Sequence, residues 1–76
     1  MNKERKKRLG ELSEQITDLK YSLEAILEEE ETYMYNIPEN LQGSARYEAA
    51  EEAVDNLESA IDSLDDTLSY IGAILE

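Results

Sequence analysis

The sequence predicts an all-α fold: an antiparallel helical hairpin, a two-helix coiled coil, that dimerises into a four-helix bundle. Three observations predict it. Apolar residues recur at steps of three and four in two long runs, the spacing of helices packed along one seam. A single break, holding the only proline, separates the runs. Gly and Pro together make only four of the 76 residues, a composition that suits long helices and argues against strands.

The first run is Leu9, Leu12, Ile16, Leu19, Leu23, Ile26, Glu30 and Tyr33, and places helix 1 at about 3–35. Leu9, Ile16, Leu23 and Glu30 take heptad position a. Leu12, Leu19, Ile26 and Tyr33 take position d. Glu30 is the one polar residue in the stripe; opposite the small Ala50 it can lean outward and fix the register. The loop, 36–43, is Asn36-Ile37-Pro38-Glu39-Asn40-Leu41-Gln42-Gly43. Pro38 pushes Ile37 out of helical geometry. Pro38 to Leu41 can form one helical turn of its own, and Gly43 can take the left-handed conformation just ahead of the Ser44 cap. Ile37 and Leu41 are expected to fold back over the end of the seam.

Helix 2, about 44–75, starts at Ser44, whose hydroxyl can cap the first orphan N–H groups. Its stripe is Tyr47, Ala50, Val54, Leu57, Ile61, Leu64, Leu68, Ile71 and Leu75. An eight-residue connection forces antiparallel neighbours. Pairing residues whose numbers sum to 80 sets Tyr33 against Tyr47, Leu23 against Leu57 and Leu9 against Ile71, an a with a d in every layer. In that register a charge at Leu19 or Ile61 lies mid-seam and unfolds the protein.

A two-helix seam leaves much of each helix wet, so a second hairpin is expected to cover more. Candidate flanks are Ala53, Ala60, Thr67 and Ile74 on helix 2, with Leu27 and Met34 on helix 1. A homodimer with its loops at opposite ends follows from the charge distribution. Residues 1–8 carry five bases against one acid (+4), and residues 9–76 carry two bases against eighteen acids (−16). The basic start lies beside the C-terminal end of helix 2, where cations are favoured. Glu28 to Glu31 oppose the dipole at the end of helix 1 and soften that end.

The same charge discourages direct nucleic-acid binding by the body of the protein. No stretch approaches the roughly 20 apolar residues of a membrane span, and no apolar segment follows the basic start. A soluble, cytoplasmic protein without a membrane association is expected. Cysteine and histidine are absent, which removes disulfides, thiol chemistry and the usual general base. Paired carboxylates would need a pocket that a thin rod lacks, so no enzyme is expected. Glu28 to Glu31 point in four directions from a helix and read as a solvated patch; no metal or other cofactor is expected. Lys3 to Arg8 read as a solvated helix start.

One cluster remains for recognition: Tyr33, Met34, Tyr35, Ile37, Leu41 and Tyr47 gather at the loop end. Tyr and Met are enriched in interfaces, so this is the expected site for an unidentified protein partner, against the plainer reading of an apolar cap.

The basic start, the acidic helix 1, and the stretches from Ile37 to Glu48 and from Ala53 to Leu64 resemble small acidic two-helix proteins encoded by prophages and mobile elements of Gram-positive bacteria. That resemblance spans nearly the whole chain and implies a setting rather than a mechanism. A looser likeness is to the WXG100 secreted hairpins. Leu41-Gln42-Gly43 stands at the place of their Trp-x-Gly turn, with leucine for tryptophan and no tyrosine-based export signal. Three functions are therefore expected in order: a non-catalytic interaction or assembly protein, an acidic mimic of nucleic acid that inhibits a DNA-binding protein such as a host nuclease, and a WXG100-like secreted hairpin.

Overall fold

The computed structural model describes residues 1–76 as two helices that double back on each other. Helix α1 spans Lys3–Tyr35, a 3-10 turn spans Glu39–Leu41, and α2 spans Ala45–Leu75. The antiparallel hairpin and its boundaries match the expectation from periodicity. The rod measures 59 × 15 × 14 Å. Its radius of gyration is 17.3 Å, against about 11 Å for a compact domain of this length.

Each helix start is capped by a side chain. The Arg5 N–H donates to Asn2 Oδ1 at 2.8 Å, and the Tyr47 N–H donates to Ser44 Oγ at 3.3 Å. These bonds serve N–H groups that have no carbonyl one turn earlier. The end of α1 tightens instead of uncoiling: Asn36 N–H donates to the carbonyls of Thr32 and Tyr33, and Ile37 N–H to that of Met34. Three more short-range bonds carry the chain round the loop, from Leu41 to Pro38, Gln42 to Glu39 and Ser44 to Leu41. The chain comes round without a left-handed residue: Gly43 does not use the left-handed conformation open to it, and no residue has a positive φ.

Helix α2 covers the stripe its sequence indicates. Ala50, Val54 and Ile61 are buried, and Tyr47, Leu57, Leu64, Leu68, Ile71 and Leu75 are half-buried. Helix α1 does not. Its covered positions are Leu9, Ile16, Leu23 and Glu30 at a and Lys6, Ser13, Lys20, Leu27 and Met34 at e, with Gly10, Thr17, Glu24 and Glu31 at b half-buried beside them. The covered sector is thus centred on a and e, and the expected d positions lie outside the seam. Leu12, Leu19, Ile26 and Tyr33 stay 48, 60, 50 and 43 % exposed. Leu27 and Met34, expected as flanks, belong to the seam.

The cause is visible at two points along the rod. At the loop end Met34 joins Ala50 and Val54 in one cluster, with Leu27 and Tyr47 packed on it. Ile37, 3 % exposed, continues that packing past the helix end. Ala50 has only a methyl group, so the long Met34 side chain fills the layer above it. Further along, Lys20 Nζ donates to Asp65 Oδ1 at 2.6 Å and lies 3.7 Å from Glu24. Both arrangements need α1 turned about its axis, away from d and toward e. Met34 beside Ala50 and Lys20 beside Asp65, numbers that sum to 84 and 85, set the register, and continued along the covered stripes it brings Leu27 to Leu57, Leu23 to Ile61 and Leu9 to Leu75. The seam is four residues off the expected register, about one helical turn.

Candidate functional site

Two surfaces stand out, and both follow from the rotation of α1. The first is the loop end. Met34 and Ile37 are buried, and Tyr47 is half-buried, so these three close the hairpin. Tyr33, Tyr35 and Leu41 are exposed around them. The six residues do gather at one end, but as an inner cap and an outer rim. Of the two apolar loop residues, Ile37 folds over the seam and Leu41 stays at the surface.

The second surface runs along the rod. Beside an antiparallel seam, position d of α1 and position g of α2 share one face, while b of α1 and e of α2 share the other. The interactions confirm this division. Arg46, at a g position, stands over the ring of Tyr33, at a d position, 5.8 Å from its centroid. Lys20, Glu24 and Asp65 meet on the opposite side. One face therefore carries Leu12, Leu19, Ile26 and Tyr33 with Ala53, Ala60, Thr67 and Ile74. The other carries Thr17, Glu24 and Glu31 with Glu51, Glu58 and Asp65. The rod is thus amphipathic as a whole, apolar on one broad side and acidic on the other.

Periodicity alone points to the α2 half of this face, Ala53 to Ile74, but assigns the α1 half, Leu12 to Tyr33, to the seam. A signal was present: α1 carries apolar residues at a, d and e near the loop (Leu23, Ile26, Leu27, Tyr33, Met34). A single neighbouring helix covers two such columns, and three is the width that faces the core of a bundle.

No protein-family model, curated protein or solved structure matches the chain. Its chemistry is accordingly read from its own side chains. No three acidic side chains converge where they could hold a metal ion, the four glutamates Glu28 to Glu31 included. The two surface depressions are open, one lined by Ala25, Glu28, Glu29 and Thr32, the other by Met1, Arg5, Arg8, Leu9 and Leu12. The helical hydroxyls of Thr17, Thr32 and Thr67 each donate to the carbonyl four residues earlier at 2.9 Å, which occupies them locally. Lys20 is the group whose ionisation the fold shifts. Its hydrogen bond to Asp65 raises its pKa above the usual lysine value, with the charges of Asp65 and Glu24 adding to the effect and desolvation opposing it. That is the signature of a structural ion pair. No helix is long and apolar enough to cross a membrane.

Proposed function

We propose that the protein is a non-catalytic interaction and assembly module, of the prophage and mobile-element kind its sequence resembles, acting in the cytoplasm as a homodimer that engages a further protein. The observation that carries this reading is the exposed apolar stripe of α1. Four large apolar side chains recur at one heptad position, each 43–60 % exposed, and such a row of uncovered apolar surface is what an interaction face presents. The exposed Tyr35 and Leu41 at the loop end, beside the edge of that stripe, offer the surface for the second protein.

Sedimentation equilibrium tests the first half: a dimer at micromolar concentration is expected, and a monomer at several hundred micromolar overturns it. Affinity capture from the native host tests the second half. A partner that stays bound in high salt and is lost on Tyr35→Ala or Leu41→Ala supports the reading.

A second reading rests on the acidic face. A 59 Å rod carrying Glu24, Glu31, Glu51, Glu58 and Asp65 on one side matches in length about 17 base pairs at 3.4 Å each. A captured nucleic-acid-binding protein, displaced both by DNA and by salt, favours that reading over the first.

A further inference from the structure

We infer that the apolar face seats a second copy of this chain with the two loops at opposite ends, so that α1 lies against the partner's α1 and α2 against the partner's α2. This rests on the homodimer reading and adds to it the face, the pairing of helices and the direction.

The area supports a second copy as occupant. The protein exposes 5667 Å² for 8.7 kDa, where a compact monomer of that mass exposes about 4,700 Å². One broad side of a rod 59 Å by 15 Å presents on the order of 800 Å², which is what a standard interface buries per partner. Its centre is apolar and its ends are charged, the layout of an interface core within a polar rim.

Symmetry supports the pairing. The stripe from Leu12 to Tyr33 has its midpoint between residues 22 and 23, which across the seam lies level with residues 61 and 62 of α2. The flank from Ala53 to Ile74 has its midpoint between residues 63 and 64. The two midpoints differ by two residues, about 3 Å along the axis. One two-fold axis across the rod therefore serves both stripes. It sets Leu19 on the partner's Ile26 and Leu12 on the partner's Tyr33, while the small Ala60 and Thr67 let the two α2 helices approach closely.

Charge selects the direction. The loop end, residues 28–52, holds eight acids and one base (−7). The open end, residues 1–8 with 65–76, holds five bases and four acids (+1). Loops at the same end would bring −7 against −7 within about a Debye length. Loops at opposite ends set each acidic end beside a basic helix start.

The test uses the whole chain, which has no native cysteine, with a nitroxide at Asn40→Cys. Pulsed electron resonance on the dimer is expected to give a loop-to-loop distance of about 50 Å, twice the axial distance from residue 40 to the two-fold axis. A distance below about 30 Å means loops at the same end and overturns the inference while leaving the homodimer intact. Two equally exposed residues test the face. Leu19→Glu is expected to weaken dimerisation on the order of 100-fold or more, with helicity retained, whereas Tyr21→Glu, off that face, changes it less than about 3-fold. A dimer indifferent to Leu19→Glu overturns the face; a wild-type monomer overturns the homodimer itself.

Discussion

The two helices carry equally regular apolar repeats, yet the fold uses them differently. Helix α2 has a narrow stripe edged by Ala53, Ala60 and Thr67, and the whole of it is covered by α1. Helix α1 has a stripe three columns wide near the loop, and α2 covers only two of them. A regular heptad therefore predicts that a helix packs, while the width of its apolar sector predicts how many neighbours it needs. Helix α2 leaves outside the hairpin only a flank of mostly small residues, Ala53, Ala60 and Thr67 with Ile74. Helix α1 retains a full column, Leu12 to Tyr33, for another.

The sharpest way to break this comparison is to place a carboxylate in each stripe. Ile61 is buried at the middle of the α2 stripe. Ile61→Glu should cost about 4 kcal/mol or more, enough to unfold a hairpin of this size. Leu19 lies one turn from that level of the rod and faces outward, 60 % exposed, so Leu19→Glu should leave the hairpin's helicity and change its stability by less than about 1 kcal/mol. Circular dichroism at dilute concentration reads both. Equal unfolding by the two variants would mean that α1 packs through position d after all.

A finer version compares neighbours in sequence. Met34 is buried in the cluster with Ala50 and Val54, while Tyr33 faces out beneath Arg46. Met34→Ala should destabilise by about 2–4 kcal/mol through loss of the buried thioether chain. Tyr33→Ala should cost roughly 1 kcal/mol or less, an exposed cation–π contact and a partial ring burial. Urea melts of the two variants give the difference directly, and a reversed order would restore the register in which Tyr33 meets Tyr47.

Much of this architecture was legible in the residues. The two helices, the break at Pro38, the turn ending at Leu41 and the Ser44 cap all follow from local rules that act within a few residues. The α2 stripe was legible as well, because its neighbours at g are small and leave no competing choice. The rotation of α1 was not, since Ile26 or Leu27, and Tyr33 or Met34, satisfy the same periodicity. What decides between them is the fit of Met34 over Ala50 and the reach of Lys20 to Asp65, both of which join residues distant in sequence. Gly43 shows the same limit in miniature: a glycine permits a left-handed residue, but three successive right-handed turns already bring the chain round. The loop-end cluster was legible as a set and not as a surface, because burial of Met34 and Ile37 depends on that same rotation.

The cap on α2 gives a smaller effect that still discriminates the helices. Ser44 holds the Tyr47 N–H at the loop, where α2 must start for Ala50 and Val54 to reach Met34. Ser44→Ala should cost about 1 kcal/mol in a thermal melt. Asn2 caps α1 at the open end of the rod, beyond Leu9 and far from the cluster. Fraying of one turn there exposes little, so Asn2→Ala should cost less than Ser44→Ala, and a larger cost would put the stable end of the hairpin at the wrong place.

The smallest effect concerns the ion pair that helps set the rotation. Lys20 has a pKa raised above 10.5, first by its hydrogen bond to Asp65. A cation favoured by the fold contributes stability in full below the unfolded value of 10.5, and that contribution is lost as pH rises through the folded value. Neutral and mildly alkaline solutions should therefore show no change, with the loss confined to strongly alkaline pH. Lys20→Met keeps the aliphatic stem over the seam and removes the charge, so its stability should lack this alkaline decline. The wild-type minus variant difference is the readout, because it cancels every other group titrating in that range. If the difference is flat through strongly alkaline pH, the Lys20–Asp65 contact plays no part in turning α1, and the packing of Met34 against Ala50 alone sets the hairpin's register.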